Sequence, residues 1–253
     1  MSNRAAQAKL FRSLHTPGNP VVLFNVWDAG SAKAVAGGSA KALATGSWSV
    51  AAAHGFEDGQ KIPLSLVLDN FRRITSITEL PVSVDLEGGY DDIENTVRLA
   101  IDAGAIGFNF EDGKLGKGAG MFSVEEQSQR IAAAREAANR VLPDVFINAR
   151  TDIFLNAESN THSEQMLDEA LERAAAYAKA GGNGFFVPGL VDRKLITRVC
   201  AQSPLPVNIM AAPSTSTKEL RELGVARISY GPHPYLLAMK ALAQAAATAQ
   251  QFE

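Results

Sequence analysis

The stretch Val82-Ser83-Val84-Asp85-Leu86-Glu87-Gly88-Gly89-Tyr90 decides how this chain is read: a strand-length apolar run closes in two acids and then in glycines. Comparable apolar runs occupy residues 21–27, 42–45, 82–86, 107–110, 145–149, 184–187, 207–210 and 226–230. Apolar character on both faces suits strands of a parallel sheet covered by helices. Between the runs lie stretches rich in Ala, Leu, Glu, Lys and Arg, clearest at 93–103, 123–140, 163–180 and 235–250, which read as helices. Glycines in Asp102-Ala103-Gly104-Ala105 and Lys179-Ala180-Gly181-Gly182 supply C-caps before a strand. Eight strands alternating with about eight helices predict an α/β fold of the (β/α)8 TIM-barrel type, one domain over 1–253. An open Rossmann-type sheet is the runner-up, disfavoured because no G-x-G-x-x-G or P-loop pattern follows any strand.

Composition narrows the function classes. With 253 residues, 46% hydrophobic and 20% charged, the chain has the make-up of a globular protein with a sizeable core. Its 24 basic against 27 acidic residues leave a net charge of -3, which argues against a nucleic-acid partner. A single cysteine, Cys200, excludes an internal disulfide and a cysteine-based zinc site. Residues 1–12 lack the apolar core of a secretory signal, and no run approaches the roughly 20 apolar residues of a membrane span. The expectation is a cytoplasmic protein with no membrane partner.

In a barrel of this type the chemistry sits at the C-terminal ends of the strands, and those ends are acidic here. The third run ends at Asp85 and Glu87, which strand alternation would turn to one side. The fourth ends at Glu111 and Asp112, and the fifth carries Asn148, Arg150 and Asp152. The loop after the second brings Glu57 and Asp58 to the same rim. Acids crowded at one mouth repel each other unless a cation neutralises them. Oxygen donors without a His or Cys cluster select a hard ion, Mg2+ or Mn2+.

Arg150 either holds an anionic substrate or makes a structural ion pair with Asp152 or Glu111. The turn Thr45-Gly46-Ser47-Trp48 offers backbone N–H groups to a carboxylate. Asn208 either bonds a substrate oxygen or is an inward structural amide. The glycine-rich segment 113–120 reads as a gate, with Lys114 and Lys117 available to a distal carboxylate or simply solvated. His54 and His233 are placed to shuttle a proton or are loop histidines, whereas His15 and His162 fall away from the mouth.

The segments Asn25-Val26-Trp27-Asp28-Ala29-Gly30, Ala44 through Gly59, Val82 through Tyr90, Gly107 through Asp112, Asn148 through Asp152 and Val187-Pro188-Gly189-Leu190 resemble, in this order, the isocitrate lyase and phosphoenolpyruvate mutase superfamily. The likeness runs from about residue 21 to 240. It implies a (β/α)8 barrel that binds Mg2+, acts on 2-oxo acids through an enolpyruvate-like species, and forms a homo-oligomer, a dimer or dimer of dimers, with the last helix swapped. By that resemblance Asp85 touches the metal, and Asp58, Glu87 and Glu111 hold its water ligands. Gly46, Ser47 and Trp48 bind the substrate carboxylate, and Arg150 steadies the enolate oxygen. Arg150 and Asp58 are the catalytic candidates; Gly46, Ser47, Trp48, Arg150 and Asn208 are the substrate-binding ones.

The departures from the family pattern are informative. Isocitrate and 2-methylisocitrate lyases carry K-K-C-G-H after the fourth strand, whereas this chain reads Glu111-Asp112-Gly113-Lys114-Leu115-Gly116-Lys117, without Cys or His. Cys200 falls on the helix after the sixth strand and cannot replace the missing acid. Glu87 stands where Asp is commoner in the family. These readings lead to a Mg2+-dependent carbon-carbon lyase or decarboxylase acting on a small 2-oxo or 2-hydroxy dicarboxylate. Phosphonopyruvate hydrolase or mutase chemistry, and a non-catalytic 2-oxo acid binder, are the alternatives.

Overall fold

The computed structural model describes residues 2–116, 118–211 and 215–250. Eight parallel strands form the centre: β1 (Val21–Leu23), β2 (Leu43–Ala44), β3 (Val82–Asp85), β4 (Gly107–Glu111), β5 (Phe146–Arg150), β6 (Gly184–Val187), β7 (Val207–Met210) and β8 (Arg227–Ser229). Each pairs with its neighbour in sequence from β2 to β8, and β8 pairs with β1. The isolated parallel bridge Val26↔Thr45 brings the segment after β1 against the end of β2. The result is a nearly closed (β/α)8 barrel. Its strands are shorter than the apolar runs that predicted β1, β2 and β8, because regular pairing stops before the polar rim begins.

The helices that follow the strands begin where sequence chemistry sets them. Asp28 and Ser31 form a capping box at the start of α2 (Ala29–Ala36), and Ser123 with Glu126 forms another at α6 (Val124–Val141). Asp92, Ser163 and Asp192 accept backbone N–H groups opening α5 (Ile93–Asp102), α7 (Glu164–Lys179) and α8 (Arg193–Gln202). Each cap satisfies an otherwise orphaned donor and fixes the angle at which the helix leaves the barrel. Gly104 (φ +109°) and Gly181 (φ +102°) occupy the left-handed positions after α5 and α7, as the sequence predicted.

Three features lie outside the simple alternation. Two helices, α3 (Ser47–Ala53) and α4 (Leu64–Ser76), separate β2 from β3. Ahead of β1, α1 (Ser2–Ser13) packs Phe11 edge-on to Phe146 at 5.6 Å, while Arg4 donates to the Ile101 carbonyl at 2.9 Å. The third is α10 (His233–Ala249), which follows α9 (Thr217–Glu222) and β8: among its described residues only Pro234 is buried, and Leu236, Leu237 and Leu242 are exposed. Val22, on the outer face of β1, is exposed as well. No described helix is long and apolar enough to cross a membrane.

Candidate active site

At the end of β2 the chain turns through Thr45 and Gly46 directly into α3. Gly46 is the N-cap, in extended conformation and without a side chain to occupy the first amides. One of them, Ser47 N–H, donates to Asp85 Oδ2 at 3.2 Å, while Asp85 N–H donates to Thr45 Oγ1 at 3.0 Å. The rim of β2 is thus tied to the rim of β3. Trp48 stays partly exposed, with Tyr235 of α10 edge-on to it at 5.9 Å.

Glu87 reaches the acids by a different route from the one alternation predicts. Strand β3 ends at Asp85, and Glu87 has φ +51°, a left-handed conformation that turns its side chain toward the loop after α3. There its Oε2 accepts N–H groups from Gly59 at 2.9 Å and Gln60 at 2.8 Å. Burial, followed by the Asp58 and Asp85 charges, pushes its carboxyl up to about 8 even though the two amides favour its ionised form.

The β4–β5 register sets Glu111 opposite Arg150. Arg150 Nη1 lies 2.8 Å from Glu111 Oε2, and Asp152 takes Nε at 2.6 Å and Nη2 at 3.1 Å as a fork. Two of the five guanidinium N–H groups are hydrogen-bonded, both to Asp152, while Glu111 pairs with Nη1 as an ion pair. Both ion pairs considered from the sequence are therefore formed, and Arg150 lines the mouth at the same time. Burial works against the Arg150 charge, but Glu111, Asp152 and Asp85 outweigh it and hold the proton more firmly than usual. Glu111 is raised, by burial first; Arg150 counters this, and Asp152, Asp85 and Glu87 add to it. Asp58, on the rim, is raised by desolvation and then by Asp85.

A cavity of about 210 Å3 opens at this end of the barrel, and Gly46, Ser47, Trp48, Asp58, Asp85 and Arg150 all line it. Glu87 sits behind, sharing with Asp85 a small inner void of about 10 Å3. Glu111 borders a neighbouring groove beneath the 113–120 loop. The four acids thus meet from the loop after α3, the end of β3 and the end of β4, and the Asp85 charge acts on each of the other three. Among the described residues, no three of His, Cys, Asp and Glu lie close enough to ligate one ion directly. The arrangement suits an ion gripped by one carboxylate and otherwise by water that the outer acids hold, which is how Mg2+ usually binds.

Other sequence candidates fall elsewhere. Asn208 is not on the cavity wall: its Oδ1 accepts from Asn148 Nδ2 and Ser229 Oγ, and its Nδ2 donates to the Ile209 and Arg227 carbonyls. Having spent its hydrogen bonds in the barrel interior, it is a structural amide, and the substrate-binding expectation for it is corrected. Lys114 lies 5.2 Å from the Phe122 ring and lines the groove that Glu111 borders rather than the mouth cavity; Lys117 lies outside the described residues. The loop they belong to closes on itself through Lys114 N–H to the Gly120 carbonyl and the Gly113↔Met121 bridge. His54 and His233 bond backbone carbonyls of their own turns. On α8, burial pushes the Cys200 thiol up to about 12.

Two kinds of residue escaped the sequence reading. Asn25 also lines the cavity and clamps the rim, donating to the Thr45 carbonyl and accepting from the Tyr230 and Gly231 amides. The first apolar run, residues 21–27, encloses it, and only the early end of β1 at Leu23 reveals it as a rim residue. Arg227 sits inside the barrel, 1% exposed, with Nη2 on Asn109 Oδ1 at 3.1 Å; burial lowers it to about 9 against the opposing pull of Asp85. Nothing in the apolar run 226–230 signals that its second residue points inward.

Ordered strand-end acids, a capless turn into α3 and a clamped arginine at one barrel mouth describe a family geometry, and a sequence model for phosphoenolpyruvate phosphomutase matches residues 11–250. The chain belongs to the phosphoenolpyruvate phosphomutase family. The 2-methylisocitrate lyase of Escherichia coli K12 is 32% identical over 88% of this chain and 77% of that enzyme. Among solved structures, a "putative phosphonomutase" from Burkholderia cenocepacia J2315 superposes with a TM-score of 0.94 at 51% identity, covering 97% of this chain and 99% of that one. A 2,3-dimethylmalate lyase superposes at 0.84 with 25% identity over 96% and 85%. The phosphoenolpyruvate phosphomutase family thus joins lyases and mutases on one barrel.

Proposed function

We propose that this protein is a carbon-carbon lyase acting on a small 2-oxo or 2-hydroxy acid through an enolate, with Mg2+ or Mn2+ as cofactor. The observation that carries the reading is Arg150, held by Glu111 and Asp152 and lining the same cavity as Asp85 and the start of α3. When bound, the metal ion supplies positive charge that draws electron density from the C2 oxygen. Asp85 would hold it directly, and Asp58, Glu87 and Glu111 would hold its waters. The all-oxygen donor set fits such an ion.

The chain's own residues account for the rest. The Gly46–Trp48 amides would take the C1 carboxylate, which requires Ser47 N–H to exchange its Asp85 partner for the substrate. With a 2-oxo acid bearing a carboxylate on C3, the C3–carboxylate bond breaks, that group leaves as CO2, the bonding pair moves to C2–C3 and negative charge collects on the C2 oxygen. Arg150 is positioned to meet that charge with donors already fixed in place, so little reorganisation is needed. The product carbon then takes a proton, and neither Cys200 nor Lys114 is placed to give it. Solvent water entering at the open mouth is the simplest donor. That fits reactions needing an enolate sink better than isocitrate cleavage, which needs a positioned acid.

Self-association belongs to the same proposal. The exposed leucines of α10 and the open outer face of β1 support a homo-oligomer in which α10 packs on a second copy. The functional test is pyruvate release from oxaloacetate and from phosphonopyruvate, each with Mg2+ and with chelator. Release from oxaloacetate that chelation stops supports the lyase; release from phosphonopyruvate alone supports P–C chemistry; none from a panel of 2-oxo acids overturns the enzymatic reading.

A further inference from the structure

A chain of amides, Asn208, Asn148 and Asn109, crosses the barrel interior from β7 through β5 to β4. At one end Asn208 Nδ2 donates to the Ile209 and Arg227 carbonyls. Its Oδ1 accepts from Asn148 Nδ2 at 3.0 Å, and that same nitrogen donates to Asn109 Oδ1 at 2.9 Å. At the other end Arg227 Nη2 also donates to Asn109 Oδ1, at 3.1 Å. The two ends fix the direction of the whole chain. A backbone carbonyl can only accept and a guanidinium can only donate, so turning over any one of these amides would set acceptor against acceptor or donor against donor. Asn109, 4% exposed, lines the mouth cavity, on the side that carries Asp85 and Arg150; Phe186, Pro188 and Met210 stand on the other, from the ends of β6 and β7. With Oδ1 drawn inward by Arg227 and Asn148, Asn109 presents Nδ2 to the cavity.

We infer that Asn109 is a substrate-binding residue, donating from Nδ2 to a carboxylate or 2-oxo oxygen of the acid in the mouth, and that it is not a ligand of the metal ion. This rests on the proposed function, which sets the acid against Asp85 and Arg150. The β3–β4 register puts Asn109 beside Asp85, and two residues further along β4 Glu111 stands opposite Arg150. Asn109 therefore lies one layer beneath the Arg150 clamp, under any acid that reaches both. By position alone it would suit an oxygen ligand for the ion. The direction of the amide chain decides otherwise, because a hard cation takes oxygen donors and an amide N–H can meet only an acceptor. Two donors converging on Oδ1 also polarise the amide and strengthen its N–H groups. Buried partners hold the donor in place before the acid arrives, so binding it requires little reorganisation.

The test separates the anion from the metal on the full chain: oxalate binding in Mn2+ by calorimetry, and Mn2+ alone by loss of its free-ion EPR signal. Asn109→Ala should weaken oxalate by roughly ten- to a hundredfold, the effect of losing a hydrogen bond to a charged group, and leave Mn2+ alone within about twofold of the wild type. That variant also strips Arg227 of its acceptor, so Asn109→Asp is measured beside it. Its carboxylate keeps an oxygen for Arg227 and Asn148 and turns a second, anionic oxygen to the cavity. Asn109→Asp should hold Mn2+ at least as tightly as the wild type and lose about a hundredfold or more in oxalate affinity. Oxalate affinity within about threefold of the wild type in either folded variant overturns the inference and leaves the lyase reading standing. Mn2+ alone binding roughly tenfold more weakly to Asn109→Ala would make Asn109 a metal ligand and overturn it as well. If oxalate does not bind the wild type in Mn2+, both fall.

Discussion

Arg150 and Glu111 face each other across the β4–β5 register and meet at 2.8 Å, each side chain only 14% exposed. At that burial neither charge is cheap alone, and the pair holds because Asp152 completes the arginine's fork. The same clamp that stabilises the rim fixes the direction in which the remaining N–H groups point.

Arg150→Lys keeps the charge but not the fork, and one ammonium cannot satisfy Glu111 and Asp152 and also reach into the cavity. Metal-dependent turnover should fall roughly a hundredfold in kcat, the usual cost of losing one preorganised donor. Steady-state kinetics decides it, and a loss below about threefold would count against the enolate role.

Asp85→Ala removes the carboxylate whose charge acts on the other three acids, together with the acceptor for Ser47 N–H. Turnover should disappear at every Mg2+ concentration tried. Asp85→Asn keeps an oxygen for Ser47 while losing the charge, so it should melt near the wild-type temperature and be equally inactive. Activity surviving in Asp85→Asn would show that the metal is held elsewhere.

His15 sets a prediction on acid stability. It is buried between Phe11 and Phe146, stacked 4.0 Å from the latter and hydrogen-bonded through Nδ1 to the Phe11 carbonyl. Burial, then Arg227, lowers it from 6.5 to about 3. Between those values the unfolded chain binds a proton that the folded chain refuses, so stability is complete above about pH 6.5 and falls as the pH drops toward 3. The slope from this group approaches about 1.4 kcal/mol per pH unit within the window. Urea titrations from pH 7 to 4 should show a shallower decline for His15→Phe than for the wild type; parallel declines would remove His15 from the account.

Gly189 (φ +84°) carries the chain from β6 over Phe154 and Leu155. A Cβ there would fall 2.8 Å from the Leu155 nitrogen and from the Phe154 carbonyl carbon and oxygen. Backbone cannot yield as a side-chain tip can, so Gly189→Ala combines a left-handed penalty with overlap and should cost about 2 to 4 kcal/mol. Denaturant unfolding measures this, and a loss under 1 kcal/mol would contradict the close approach.

If α10 packs on a second copy, charging its apolar face should dissolve the assembly. Leu237→Glu with Leu242→Glu should leave a folded species of monomer size by sedimentation velocity where the wild type runs larger. Both positions are 64% exposed in the single chain, so the change costs the isolated barrel little. A wild type already monomeric would end the oligomer proposal.

The barrel was legible from the sequence because strand and helix periods are local properties. Apolar runs mark what is buried on both sides, and Asp28, Ser123 and Asp192 mark helix starts by hydrogen bonds that span two or three residues. Asp58, Asp85, Glu111 and Arg150 were legible for a related reason: once the fold is a barrel, every strand end is a rim position. What the sequence left open was decided by contacts between distant segments. Glu87 joins the acids through a left-handed turn and amides 28 and 27 residues away. Asn208 is withdrawn from the mouth by Asn148 and Ser229 on other strands. Phe186, Pro188 and Met210 look like ordinary core in a linear reading, because hydrophobicity does not record whether a strand-end side chain meets another side chain or a cavity. Only closing the sheet placed them opposite the acids and gave the mouth its charged half and its apolar half.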